Sequence, residues 1–264
     1  MRSIGWLVAP LGKWGGYAYV RGIPLIGSVI KIQRPKKIDY KVISSLSKKY
    51  KAFQIILEPT PKTSSKQLTA KGFRLSRSYF APSKTLQINL TKTEKQLLKE
   101  MHYKTRYNIR RSKVQNLKSK ISNDVVSFAN FWQKCTNQQR GVFLPQKKEI
   151  IAMQRTFGKK TLIVQVLRKS QVLSAVMLIF TNKSAHYMYA AASLEGKKLF
   201  APTLNAWMAI KLAKKLGCRV FDFEGIYDER FPVKSWVGFT RFKKSFGGHE
   251  IEYPGSYTKY RLPF

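Results

Sequence analysis

The sequence predicts a mixed α/β protein, and three observations carry the prediction. Short apolar runs alternate with helical stretches through the first third of the chain. A second block then reads helix, helix, three strands, helix, strand. Finally, 44% hydrophobic residues over 264 positions suffice for the packed core of one large domain or of two small ones.

In order, "YAYVRG" and "GSVIKIQRP" read as strands, and a helix is expected from about Asp39 to Lys51. "AFQIILEP" (Ala52 to Pro59) is a short apolar run stopped by proline, the pattern of a buried strand. After the polar "TPKTSSKQ" come a short helix ending at Gly72 and a strand, "TLQINL", assigned with them to the first α/β layer. At Thr91 the texture changes. Thr91 with Glu94 three residues later reads as a capping box, opening one helix that continues through "KEMHYKTRYNIRRSKVQNLKSK". Leu98, Met101, Thr105 and Ile109 would face inward, and Lys104, Arg106, Arg110, Arg111 and Lys113 outward. That basic face is either a solvated surface or a phosphate-binding ridge, since arginine binds phosphate bidentately. Helices at about 124–139 and 146–157 follow, then strands "TLIVQVLR", "QVLSAVMLIFT" and "SAHYMYAAA", the helix "FAPTLNAWMAIKLAKKLG" and the strand "RVFDFEG". This order resembles the core of GNAT-type acyltransferases.

Charge narrows the partners. Fifty Lys and Arg against 13 Asp and Glu give +37, which favours nucleic acid, anionic lipid head groups or phosphorylated substrates. A lysine-biased composition is the alternative source of that charge. Cys135 and Cys218 share no metal-ligand spacing and the three histidines are scattered, so neither a zinc site nor a disulfide framework is expected. A membrane span needs roughly 20 apolar residues, and no such run occurs; the setting expected is cytoplasmic and reducing. The turn "AASLEGKKLFAPT" holds a single glycine before its helix, and Glu195 stands where a pyrophosphate would approach. Acetyl-CoA is therefore disfavoured as acyl donor. "GFTRFKKSFGG" (238–248) interleaves Phe239, Phe242 and Phe246 with Arg241, Lys243 and Lys244, then breaks on two glycines.

Four stretches, "MHYKTRYNIRRS", "HYMYAAASLEGKKLFAPTLNAW", "FDFEGI" and "FTRFKKSFGG", resemble in order and separation the Fem (FemABX) family of peptidoglycan aminoacyltransferases. The resemblance implies two GNAT-like domains without a coiled-coil arm. The first, 1–92, would be shortened at its N-terminus and completed by 248–264; the second would be 93–247. It implies an aminoacyl-tRNA co-substrate, no cofactor or metal, and transfer of an amino acid to the stem-peptide amine of a peptidoglycan precursor, either lipid II or a UDP-muropeptide. The protein would act in the cytoplasm, with peripheral contact at the inner face of the plasma membrane.

Carried over residue by residue, Lys243 would meet the oxyanion of the tetrahedral intermediate or the terminal phosphate of the tRNA, and Phe242 would stack on the terminal adenine or hold the lysine stem. Glu58, one methylene longer than the family's aspartate, would bind or deprotonate the incoming amine. Tyr187 and Tyr189, two apart and so expected on one face, would line the acceptor pocket. Arg106 and Arg110 would contact phosphates. The family's cleft arginine after "QQRGVF" is absent: Pro145 and Gln146 stand there, with Arg140, a candidate substrate-binding residue, and Lys147 nearby, so the acceptor would be held differently. Asp222 is expected to be structural. For Lys243 the alternative is a solvated surface cation, for Glu58 an exposed turn acid, and for the tyrosines core packing. Two other functions stay open: a GNAT-type N-acyltransferase with another donor such as acetyl-CoA, and a non-catalytic basic protein that binds RNA or membrane.

Overall fold

The computed structural model describes residues 5–12, 15–76, 81–140 and 147–261. The chain divides into two compact units: one of Met1–Lys84, Tyr227–Lys234 and Ile251–Phe264, the other of Thr85–Ile226 and Ser235–Glu250.

The first unit is a six-stranded sheet. β1 (Leu7–Pro10), β2 (Tyr17–Ile23) and β3 (Gly27–Gln33) pair antiparallel in sequence. α1 (Tyr40–Lys49) then crosses over to β4 (Ala52–Glu58), parallel to β3. The Asp39 carboxylate starts α1 by accepting from the Lys41 and Val42 amides at 3.0 and 3.2 Å, satisfying N–H groups the first turn leaves unpaired. α2 (Ser65–Ala70) leads to the two-residue β5 (Arg74–Leu75). The last strand among the described residues, β13 (Tyr257–Tyr260), inserts between β4 and β5 of this sheet. Ile30, Ile32, Ile55, Leu57 and Leu68 form this unit's core.

The second unit is built on β6 (Lys84–Asn89), β7 (Lys118–Ser122), β8 (Thr161–Arg168), β9 (Gln171–Thr181), β10 (Ser184–Ala192), β11 (Val220–Gly225) and β12 (His249–Glu252), in the sheet order β12-β6-β11-β10-β9-β8-β7. The "TLQINL" strand therefore belongs here: β6 runs antiparallel to β11, with Ile88 opposite Phe221. α8 (Ala201–Lys215) packs Ala206, Trp207 and Ile210 over one face of the sheet, against Val176, Leu178 and Phe221. α5 (Val125–Arg140) and α6 (Lys147–Phe157) cover the other face, with Phe128, Trp132 and Ile150 on Ile163 and Met177.

The single helix expected from Thr91 is two helices and a strand. Thr91 is not the cap, because its hydroxyl and amide both donate to the Asn89 side chain. Thr93 caps α3 (Glu94–Glu100) in a box with Gln96. Met101 is extended (ψ 150°), and the chain restarts as α4 (Tyr103–Val114), whose Lys104 amide donates to His102 Nδ1 at 3.3 Å. His102 N also donates to the Ser245 carbonyl at 2.9 Å, which pins the break. Residues 118–122, expected as helix, are β7. Two short helices remain: α7 (Leu194–Lys198) before α8 and α9 (Val237–Lys244) before β12.

Candidate active site

β10 and β11 run parallel, yet they pair only where Ser184, Ala185 and His186 face Val220, Phe221 and Asp222. β10 continues to Ala192 without β11 beside it, so its edge beyond His186 has no ladder partner on that side among the described residues. Within that stretch the strand bulges at Met188, because Tyr187 pairs with Leu178 and Tyr189 with the next residue, Met177. An extra residue reverses the alternation. Tyr187 and Tyr189 consequently do not share a face as the sequence led us to expect. Tyr187 is buried against Phe221 and Phe223, at ring separations of 6.0 and 5.1 Å. Tyr189 lies edge-on to Trp132 of α5 at 5.7 Å. Burial raises the phenol pKa of both.

β11 is irregular at the same level. Its register with β6 shifts between Asp222 and Gly225, and Glu224 has φ 61°, a left-handed conformation costly for a residue with a side chain. Asp222 supports it. One carboxylate oxygen accepts from the Glu224 amide at 2.7 Å and the other from Gln87 Nε2 at 2.9 Å. Burial, then the Glu224 charge, raises the Asp222 pKa. The turned-out Glu224 carboxylate lies 2.7 Å from His186 Nδ1, whose Nε2 lies 2.8 Å from the Thr181 hydroxyl. His186, Asp222 and Glu224 thus bring ligand atoms within 4.8 Å of one another, a donor set able to hold a cation. Scattered histidines in the sequence gave no sign of it, since β10 and β11 pair only in the fold.

The neighbouring positive charge is Lys243 on α9. Its ammonium donates to the Gly225 carbonyl at 2.6 Å and stands 4.8 Å from the centroid of the Phe239 ring. Burial pulls its pKa down to about 8, while Glu224 and Asp222 pull it back up. Rings hold the helix in place: Phe242 packs edge-on to Phe246 at 5.2 Å, and Phe246 lies on Phe223 at 5.4 Å. The glycines after α9 let the chain turn into β12. Gly248 has φ 91°, and a Cβ there would come within 2.4 Å of the Gln87 carbonyl oxygen. Lys243, Phe242, Phe239, Tyr187, Met188 and Ala190 together line a cavity of about 560 Å³, alongside Lys197 and Pro202 near the start of α8.

The other candidate residues are placed as follows. Glu58 ends β4 in the first unit, only 4% exposed, accepting from Gln33 Nε2 at 3.2 Å and from the Ala81 amide. Lys31 is buried near enough for its ammonium, whose pKa burial lowers, to be pulled back up by Glu58. Glu58 is therefore not the exposed turn acid of the alternative reading. Arg106 turns inward, donating to the carbonyls of Leu98, Lys99 and Met101 at the end of α3, while Arg110 is exposed on α4. Arg140 ends α5; its side chain, like Pro145 and Gln146, lies outside the described residues. Glu195 is paired with Arg168. Gly196 is needed for packing, since a Cβ there would meet the Leu173 carbonyl oxygen at 2.2 Å. The segment before α8 thus serves close helix–sheet contact.

A strand pair that parts beside a bulge, over a cavity at the head of a long helix, places the second unit among GNAT-like folds. Comparisons agree on that class. FemX matches with a TM-score of 0.81 at 17% identity, over 99% of this chain and 90% of that one. L-PGS from Bacillus licheniformis matches at 0.61 and 12%, over 98% and 84%. A tandem GNAT protein from the clavulanic acid biosynthesis pathway matches at 0.52 and 9%, over 93% and 78%. No match was found among the curated protein sequences.

Residues 136–264 match the FemAB family, and the fold of the chain is GNAT-like. No helix among the described residues is long and apolar enough to cross a membrane.

Proposed function

We propose that the protein transfers an amino acid from aminoacyl-tRNA to the stem-peptide amine of a peptidoglycan precursor. The observation that supports this reading is Lys243, a lysine held by rings and by the Gly225 carbonyl at the wall of a cavity beside the open edge of β10. In the proposed reaction the amine lone pair attacks the ester carbonyl carbon. The tetrahedral oxyanion collapses, an amide bond forms, and the ester C–O bond to the tRNA breaks. The proton lost by the amine ends on the departing ribose hydroxyl. Ester to amide is downhill, so positioning and charge stabilisation are what the protein has to supply.

Lys243 is assigned to the oxyanion and Phe242 to its support or to the terminal adenine. Glu58 is assigned to the incoming amine, which with an unperturbed pKa of about 10.4 arrives protonated. Tyr187 lines the same cavity as Lys243. Arg110, exposed on a basic helix, is a better candidate than Arg106 for tRNA phosphate. Cytoplasmic action on a lipid-linked or nucleotide-linked acceptor belongs to the same proposal.

The test incubates the protein with charged tRNA pools and lipid II or UDP-muropeptide, and reads the muropeptide by mass. A gain of one aminoacyl residue supports the reading. Turnover with acetyl-CoA alone replaces it with an acetyltransferase, and salt-sensitive tRNA retention without product replaces it with a binding protein.

A further inference from the structure

The second unit holds another cavity, of about 760 Å³, that shares no residue with the one beside Lys243. It lies at the β7 edge of the seven-stranded sheet. Ile121 stands opposite Val164 in the β7–β8 ladder, so it extends the α8 side of the sheet one strand further. Val164 is buried, whereas Ile121 is 52% exposed. Met208 and Leu212, one helical turn apart on α8, complete an aliphatic wall. Lysines form the rim. Lys214 is committed to the Leu90 carbonyl at 2.8 Å, and Lys211 to Glu94, the acid of the lining, at 3.3 Å. Lys215 has no ion-pair partner among the described residues, whereas Lys120 alternates with Ile121 and pairs opposite Gln165, on the other face of the sheet.

We propose that this groove seats one acyl chain of an anionic phospholipid, with the lipid phosphate on Lys215 at its rim. The volume suits a small-molecule ligand. The wall is aliphatic, and the rim charges are lysines, which act as point charges on phosphate. Nucleic acid would call for aromatic faces to stack bases and for guanidinium forks, and the described lining holds neither a ring nor an arginine. A free phosphate would leave Ile121, Met208 and Leu212 without a role. This inference does not depend on the transfer reaction, and it gives the chain a defined membrane contact without a spanning helix.

The general charge of +37 draws the protein to any anionic surface, so the test must change shape at constant charge. Dihexanoyl phosphatidylglycerol below its micelle concentration is titrated into wild type, Ile121→Asn and Lys215→Gln by calorimetry, with folding followed by circular dichroism. We expect Ile121→Asn to weaken binding on the order of tenfold through lost apolar contact alone, and Lys215→Gln to weaken it by at least as much. Glycerol phosphate should bind far more weakly than the lipid. Unchanged affinity of Ile121→Asn overturns the proposal, as does equal binding of glycerol phosphate. Displacement of the lipid by a short RNA, or self-association that Ile121→Asn abolishes, assigns the groove to RNA or to a second copy and overturns it equally.

Discussion

The Lys243 ammonium lies 2.6 Å from the carbonyl oxygen of Gly225, the residue that follows Glu224 at its left-handed φ of 61°. The irregular end of β11 and the cation of α9 are therefore one arrangement. The strand turns a carbonyl toward the lysine, and the two carboxylates beside it keep a largely buried amine charged for longer than burial alone would allow. A catalytic cation needs that combination: a fixed position, little competing water and a retained proton.

Replacing Lys243 by Met keeps the length and apolar stem and removes the charge. Transfer should fall about 100- to 1000-fold, the range typical for loss of one oxyanion-stabilising group. Single-turnover measurement of muropeptide product, with circular dichroism to verify the fold, checks it. Unchanged transfer in a folded Lys243→Met protein removes Lys243 from the mechanism.

The pH dependence follows in sign from the same residue. With a folded pKa of about 8 against an ordinary 10.5, Lys243 gives up its proton earlier in the native state than in the unfolded chain. Transfer that uses the ammonium should decline as pH rises through about 8. Stability moves the other way: between about 8 and 10.5 the native state binds fewer protons, so this residue's contribution rises with pH and is lost as pH falls back through that window. Urea midpoints of wild type and Lys243→Met, compared across roughly pH 7 to 11, should show the rise in wild type alone.

Glu224 opposes the effect of burial on Lys243. Glu224→Gln removes that charge and should move the lysine titration below about 8. Reductive methylation with a carbon-13 label and NMR titration reads it directly, whether or not transfer is being assayed. A titration that stays put, or moves upward, contradicts the arrangement.

Arg106 and Arg110 separate a structural arginine from a surface one. Arg106→Ala leaves the last carbonyls of α3 without their guanidinium and should cost about 1 kcal/mol of stability. Arg110→Gln should leave the melting temperature unchanged, lower tRNA affinity and reduce the salt slope by about 1. Filter binding at several salt concentrations distinguishes them.

What the sequence showed and what it hid divide along range. The strands at 17–23, 27–33, 52–58 and 161–192, the helix from about Asp39 and the long α8 were legible, because apolar period is local. Thr91 misled because the competing acceptor, Asn89, is a side chain whose choice depends on the turn after β6. The Met188 bulge was hidden, and with it the opposite facing of Tyr187 and Tyr189, since a bulge is set by the neighbouring strand. The Thr181–His186–Glu224 chain needed three strands side by side. Lys243 stood out through its interleaved aromatics, a pattern that does survive in one dimension.

The glycine pair that ends that pattern provides the final prediction. Gly248 combines φ 91° with a position where an added Cβ would lie 2.4 Å from the Gln87 carbonyl oxygen and 3.1 Å from Ile88. Both obstacles belong to β6, the strand on which β12 pairs, so relief requires moving backbone in the sheet. Gly248→Ala should therefore cost about 3 kcal/mol, summing conformational strain and the shift it forces. Gly238 sits in α9, where an added methyl would meet nothing within 4 Å, and Gly238→Ala should stabilise that helix by roughly 0.5–1 kcal/mol. Differential scanning calorimetry of the two variants should move the melting temperature in opposite directions. If Gly248→Ala melts with wild type, the turn from α9 into β12 is not fixed by that contact, and the placement of Lys243 at the head of the turn loses its support.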